Sequence, residues 1–197
     1  MSDTGTGIAP QAWAVLCELR LRGTMRGADP GHTGDLELMG WAMRRGELVA
    51  ITDAGRAAHA ERARLAPGST AEVEVRDVYQ RFGALNAQML RLCTDWQRRR
   101  GGVANDHSDP DYDMRILDRL AAMLDCARAE LGRLSAADPR FAGYADRLVE
   151  ALRRADRGER AWVASVACDS VHTVWMLLHE ELLCALGASR ADEQPVA

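Results

Sequence analysis

The run Cys168-Asp169-Ser170-Val171-His172-Thr173-Val174-Trp175-Met176-Leu177-Leu178-His179-Glu180-Glu181-Leu182-Leu183 constrains the fold more than any other stretch. At 100° per residue, Val171, Trp175, Leu178, Leu182 and Leu186 share one helical face, and His172 and His179 fall inside the same stripe. Two ionisable rings on an apolar face need polar partners inside the fold, because an unsatisfied buried polar group costs about 1–3 kcal/mol. Asp169 or Ser170 is placed to cap the N-terminus, and Gly187 to stop the C-terminus. The stretch therefore predicts a helix that other apolar helices must cover.

Those partners are visible upstream. A helix over about Ala71–Arg99 puts Val75, Val78, Tyr79, Phe82, Leu85, Met89, Cys93 and Trp96 on one face, with Asn86 in the stripe, and Gly101-Gly102 ends it. Asp109-Pro110 is an N-cap and first-turn pair for a helix to about Leu134 that aligns Ile116, Leu120, Met123, Leu124, Ala127 and Leu131. Asp138-Pro139 repeats the start signal for a third helix, with Phe141, Tyr144, Leu148 and Leu152. A charged segment, Arg153–Arg160, and the apolar pair Trp162-Val163 lead to the last helix. Four amphipathic helices with short to moderate connections predict an antiparallel four-helix-bundle-like domain over 71–188, within a mainly α fold.

Totals narrow the class. A chain of 197 residues with 47% hydrophobic content fits a folded, soluble protein, and no run approaches the roughly 20 apolar residues of a membrane span. The first residues, Met1-Ser2-Asp3-Thr4-Gly5, have neither a basic segment nor an apolar run, so a cytoplasmic location without membrane contact is expected. Cys17, Cys93, Cys126, Cys168 and Cys184 form no C-x-x-C pair and read as reduced core residues. All 25 basic residues are arginine. Residues 1–70 hold 8 of them against 8 acids, and residues 71–197 hold 17 against 21, so neither half is a basic nucleic-acid module by charge alone.

Residues 1–9 and 189–197 are expected to be disordered, and Ala66-Pro67-Gly68-Ser69-Thr70 to separate a domain at 10–66 from the bundle. In that first domain the pattern predicts a helix from Pro10 to near Gly23, a Gly-, Asp- and Pro-rich stretch Thr24–Thr33 that contains a loop, a helix over Asp35–Arg45 and a short strand at Leu48–Ile51. A further helix opens at Thr52.

Arg44-Arg45-Gly46-Glu47-Leu48-Val49-Ala50-Ile51-Thr52-Asp53-Ala54-Gly55-Arg56 resembles the end of a winged helix-turn-helix domain of the MarR kind. There a recognition helix ends in a glycine, a strand follows, and an L-T-x-x-G-R-like turn starts the next helix. Two departures stand out: five residues between Gly46 and Thr52 leave little room for a two-stranded wing, and Gly23–Gly46 is short for two helices. The resemblance implies a small degenerate winged-helix domain in which Arg44, Arg45 and Arg56 contact DNA phosphates. The C-terminal half resembles a helical domain of actinobacterial regulator-like proteins, through Thr94-Asp95-Trp96-Gln97, Asn105-Asp106-His107-Ser108-Asp109, Tyr112-Asp113 and Asp169–Trp175.

Within the bundle, Asn86, Asp113, His172, Trp175 and His179 are expected to line a pocket for a small-molecule effector. His172 and His179 stand about 10 Å apart along a helix, too far to chelate one ion together, although either has Asp113 or His107 as a conceivable co-ligand. No cofactor is expected: His179-Glu180-Glu181 is not H-E-x-x-H, and no nucleophile motif is present. The acidic run Asp106–Asp113 reads as a solvated loop with an N-cap. The sequence thus points to a homodimeric transcriptional regulator in which a ligand in the bundle alters the spacing of two DNA-binding domains. The alternatives are a protein-interaction or accessory module and, third, an enzyme with a His/Asp pocket.

Overall fold

The computed structural model describes residues 8–99 and 101–189, and the chain divides into two compact units between Arg64 and Leu65. The disorder expected at the two ends lies outside the described residues, except at positions 8, 9 and 189. Ile8 belongs to the core of the first unit.

The first unit runs α1 (Pro10–Arg22), β1 (Thr24–Arg26), α2 (Pro30–Leu38), β2 (Ala42–Arg45), β3 (Leu48–Ile51) and α3 (Asp53–Ala63). Its three strands form an antiparallel sheet in the order β1-β3-β2. Leu16, Leu19, Leu36, Val49 and Ile51 make the core. The loop expected within Thr24–Thr33 is residues 27–29, flanked by β1 and the start of α2, which Asp29 caps by accepting from Gly31 N at 2.9 Å. The helix expected at 35–45 ends at Leu38, because Gly40 takes a left-handed φ of 71° and turns the chain back. Ala42–Arg45 then pairs with β3 as a strand.

That pairing makes a compact hairpin. Arg45 faces Leu48 across a two-residue turn, Gly46-Glu47, with Gly46 at φ 60°, as a type II′ turn requires of its first central residue. The room thought missing after Gly46 lies before it. One helix, not two, separates β1 from β2.

The Thr52-x-x-Gly55 turn has a direct physical basis. Thr52 Oγ1 accepts from Gly55 N at 3.1 Å and donates to Gly40 O at 2.6 Å, so one hydroxyl caps α3 and ties it to the lead-in of β2. A Cβ on Gly55 would lie 2.1 Å from Trp41 O. Here glycine is demanded by close backbone approach.

The second unit runs α4 (Thr70–Gln97), α5 (Pro110–Ala137), a 3-10 turn (Pro139–Phe141), α6 (Tyr144–Asp156), α7 (Ala161–Ala164) and α8 (Val171–Leu186). Contacts run α4–α5, α5–α6, α6–α8 and α8–α4, which closes a ring of four helices. The start signals are used as read: Ser69, Asp109 and Ser170 each accept a backbone N–H in the first turn, and Gly187 ends α8 in the left-handed region. Asp138-Pro139 opens only the 3-10 turn, and the α-helix restarts after Gly143. Along α4 and α5, Arg133 joins Glu74, Asp77 and Glu130, Arg81 pairs with Glu130 at 3.0 Å, and Arg119 with Asp95 at 3.1 Å. This order fixes an antiparallel pair. α8 is buried on most of its surface, Glu181 included, where a single apolar stripe was expected.

Gly55→Ala is expected to destabilise the first unit by about 1–3 kcal/mol through overpacking against Trp41. Urea denaturation followed at the tryptophans measures it, and an unchanged midpoint would contradict the close approach.

Candidate functional site

The five residues expected to share a pocket separate into two places. Trp175 is 1% exposed, stacks on Phe82 at 4.8 Å and donates its indole N–H to Asn86 Oδ1 at 3.1 Å. His179, also buried, packs its ring against Phe82 at 5.0 Å and Tyr79 at 6.3 Å. His172 lies half-buried one turn before Trp175. The cavity beside Trp175 and Phe82 has a volume of only about 10 Å³. That is room for one water at most, so these side chains are packing groups of a filled core.

Asp113 lies elsewhere. It sits near Trp96, ten residues along α4 from Asn86, or about 15 Å at the helical rise. Its Oδ1 accepts from Asn105 Nδ2 at 2.9 Å, and its Oδ2 lies 2.9 Å from His107 Nδ1. Asn105 also donates to Trp96 O at 3.0 Å and accepts from Arg99 Nε at 3.0 Å and from His107 N at 3.2 Å. His107 packs on Trp96 with ring centres 4.7 Å apart, and its carbonyl accepts from Arg160 at 3.2 Å. His107 takes a left-handed φ of 59°, a conformation that costs a non-glycine residue about 1–2 kcal/mol. The bonds from Asn105 and Asp113 hold it there. The single pocket of Asn86, Asp113, His172, Trp175 and His179 is therefore corrected to a packed core around Trp175 and a polar lock at the end of α4. The reason is rise: residues that share a helical face can still lie several turns apart.

Sequence reasoning singled out Asp113 and His107 but not the role of Asn105, which joins them. The available signal was the spacing Asn105-x-His107, in which a side-chain amide is placed to bond the backbone two residues on. Among the described residues no group of three His, Cys, Asp or Glu is placed to hold a metal ion. Burial pushes the Cys93 thiol up to about 12, so it is not an activated nucleophile.

In the first unit, the three arginines expected at phosphate have different surroundings. Arg44 points to the inner side of the sheet, where its Nε donates to Glu37 at 3.0 Å and its Nη2 to Ala28 O at 3.2 Å and to Thr33. The hydrogen bond from Thr33 and the Arg44 guanidinium hold the Glu37 carboxyl below its ordinary range. Arg44 is thus a clamp between α2 and β2. Arg45 and Arg56 are exposed, with no ion-pair partner among the described residues. A residue not anticipated, Arg26, joins them: β3 places Leu48 opposite both Arg26 and Arg45, so the two arginines flank Leu48 on one exposed face of the sheet. With strands 4.7–4.9 Å apart, their Cα atoms are about 10 Å apart. A three-residue strand between Gly23 and Gly27 is too short to announce itself by periodicity. No described helix is long and apolar enough to cross a membrane.

No family model, no curated protein and no solved structure matches this chain.

Asp113→Ala is expected to lower the stability of the second unit by about 1–3 kcal/mol, because it strips acceptors from Asn105 and His107. Chemical denaturation monitored by circular dichroism reads this directly. A thiol titration of the native protein with a disulfide reagent should modify the exposed Cys126 first and leave Cys93 until the fold opens; early labelling of Cys93 would show that α4 is not packed as described.

Proposed function

We propose that the chain is a two-part regulatory protein in which the winged-helix-like first unit contacts nucleic-acid phosphates and the helical second unit supplies ligand response or dimerisation. The observation that carries this reading is the Arg26–Leu48–Arg45 row on the exposed sheet face, with Arg56 at the start of α3 as a third unpaired cation. Guanidinium groups on a rigid sheet are suited to phosphate oxygens, which position a protein without reading sequence.

The neighbouring helix limits what is read. α2 stands where a recognition helix precedes a wing, yet its exposed residues include His32, Asp35 and Leu38 and no arginine. Base-edge recognition has no obvious donor set there. Because residues 1–70 carry equal numbers of arginines and acids, the attraction is local and salt-sensitive, and pairing two chains would strengthen it. A second reading, a protein-docking module, is favoured by the exposed apolar side chains Leu38, Met39 and Met43 along the end of α2 and β2, Leu38 being 88% exposed.

Fluorescence anisotropy of the full chain against a duplex from its own upstream region and a random duplex, at several salt concentrations, tests the first reading. Arg26→Ala/Arg45→Ala should reduce the salt slope by about 2, since each phosphate contact contributes about 0.9. Arg44→Ala should instead lower the unfolding midpoint of the first unit and leave the slope unchanged. No binding to either duplex at low salt would remove the nucleic-acid reading and leave the docking module.

A further inference from the structure

At the junction of α4 and α5 lies a cleft of about 590 Å³ on the outside of the bundle, apart from the packed core and joined to the polar lock through Arg99. Four arginines line it, Arg98, Arg99, Arg115 and Arg119, against one carboxylate, Asp95. Tyr112 stands between two of them: the guanidinium carbon of Arg99 lies 5.0 Å from the ring centre and that of Arg115 lies 6.0 Å away. The Tyr112 hydroxyl donates to Asp95 O at 2.9 Å, which holds the ring in place, and buried Ile116 closes the floor.

The charges do not cancel locally. Arg119 is paired with Asp95 at 3.1 Å. Arg98 bonds only the carbonyl of Gly102, and neither it nor Arg115 has a carboxylate partner among the described residues. Arg99 is held from the loop side: its Nε donates to Asn105 Oδ1 at 3.0 Å, and its guanidinium lies 3.7 Å from Asp109 and 3.9 Å from Asp106, so the unpaired charge of the cleft comes from Arg98 and Arg115. If the arginines served only to complement the α4 C-terminus, no cleft between them would be needed.

We propose that this cleft binds a compact anion carrying two or more negative charges, of the phosphoryl class, as in pyrophosphate or a small phosphate ester. Arg98 and Arg115 supply uncompensated charge from the two sides of the cleft, and Tyr112 spaces the guanidinium groups. Planar guanidinium groups pair with phosphoryl oxygens two donors at a time, which a compact polyanion satisfies from both walls. The site would furnish the effector end of a regulator, but it does not depend on nucleic-acid contact by the first unit.

Isothermal titration calorimetry of the full chain with sodium pyrophosphate, against sodium chloride at matched ionic strength, tests it. Saturable binding at one site per chain is expected, weakened roughly tenfold or more in Arg98→Ala/Arg115→Ala and unchanged in the charge-matched Arg128→Ala/Arg153→Ala. A second readout uses the wild-type protein alone: pyrophosphate should slow phenylglyoxal modification of Arg98 and Arg115, read by mass spectrometry, and leave Arg128 unaffected. Absence of binding, equal loss in both double variants, or uniform protection of all arginines would overturn the proposal. Pyrophosphate binding by a protein with no affinity for duplex DNA would retain this site and lose the nucleic-acid reading.

Discussion

The register of α8 on α4 is set by one side chain. Trp175 must be buried to recover the hydrophobic gain of its large ring, yet its indole N–H requires an acceptor, and Asn86 is the group that provides it while Phe82 takes the ring face. A slide of one residue along α4 would break both contacts. With that register fixed, His179 falls between Phe82 and Tyr79 and the centre of the bundle is filled. Polar side chains inside apolar stripes are here the means of specifying a packing, not the lining of a void.

Filling the centre moves the chemistry to the end of the bundle. The loop after α4 is short and polar, and it is held by three side chains that satisfy one another, Asn105, His107 and Asp113. Their bonds keep His107 in a conformation that favours glycine, so the loop is a fixed wall. On the other side of α5's first turns, Arg99 and Arg115 approach Tyr112. The same lock thus orients Arg99 through its bond to Asn105, with Asp106 and Asp109 beside its guanidinium.

Arginine is the chain's sole strong cation, and the fold sorts its members by surroundings. In the first unit the alternation of a strand does the sorting. Arg44 and Arg45 are adjacent in sequence, but one faces Glu37, Thr33 and the Ala28 carbonyl while the other faces outward beside Leu48 and Arg26. Read as the end of a helix, the pair looked equivalent. As a strand it divides into a structural clamp and an exposed cation, and the winged-helix-like unit acquires a hairpin from residues that carry a helix-like apolar pattern.

The limits of α4, α5 and α8 were legible from local physics, whereas the start of α6 was not, since Asp138-Pro139 opens only a 3-10 turn. Ser69, Asp109, Ser170 and Gly187 act within one turn of the backbone, and apolar spacing at 3.6 residues marks the face to be buried, so the mainly α class followed from the chain, while of the three strands only Leu48–Ile51 did. What those patterns could not carry was height and partner. A helical wheel projects away the rise that puts Trp96, beside which Asp113 sits, about 15 Å along α4 from Asn86. A four-residue segment is too short for its period to tell strand from helix, so Ala42–Arg45 became a strand only when β3 offered its hydrogen bonds. The arginine cleft joins residues from two helices and a loop, a juxtaposition that exists only once α4 and α5 pack antiparallel. Short-range capping and periodicity are written in sequence because the groups involved are neighbours along the chain; charge balance and cavity shape depend on groups brought together from far apart, and only the tertiary structure decides them.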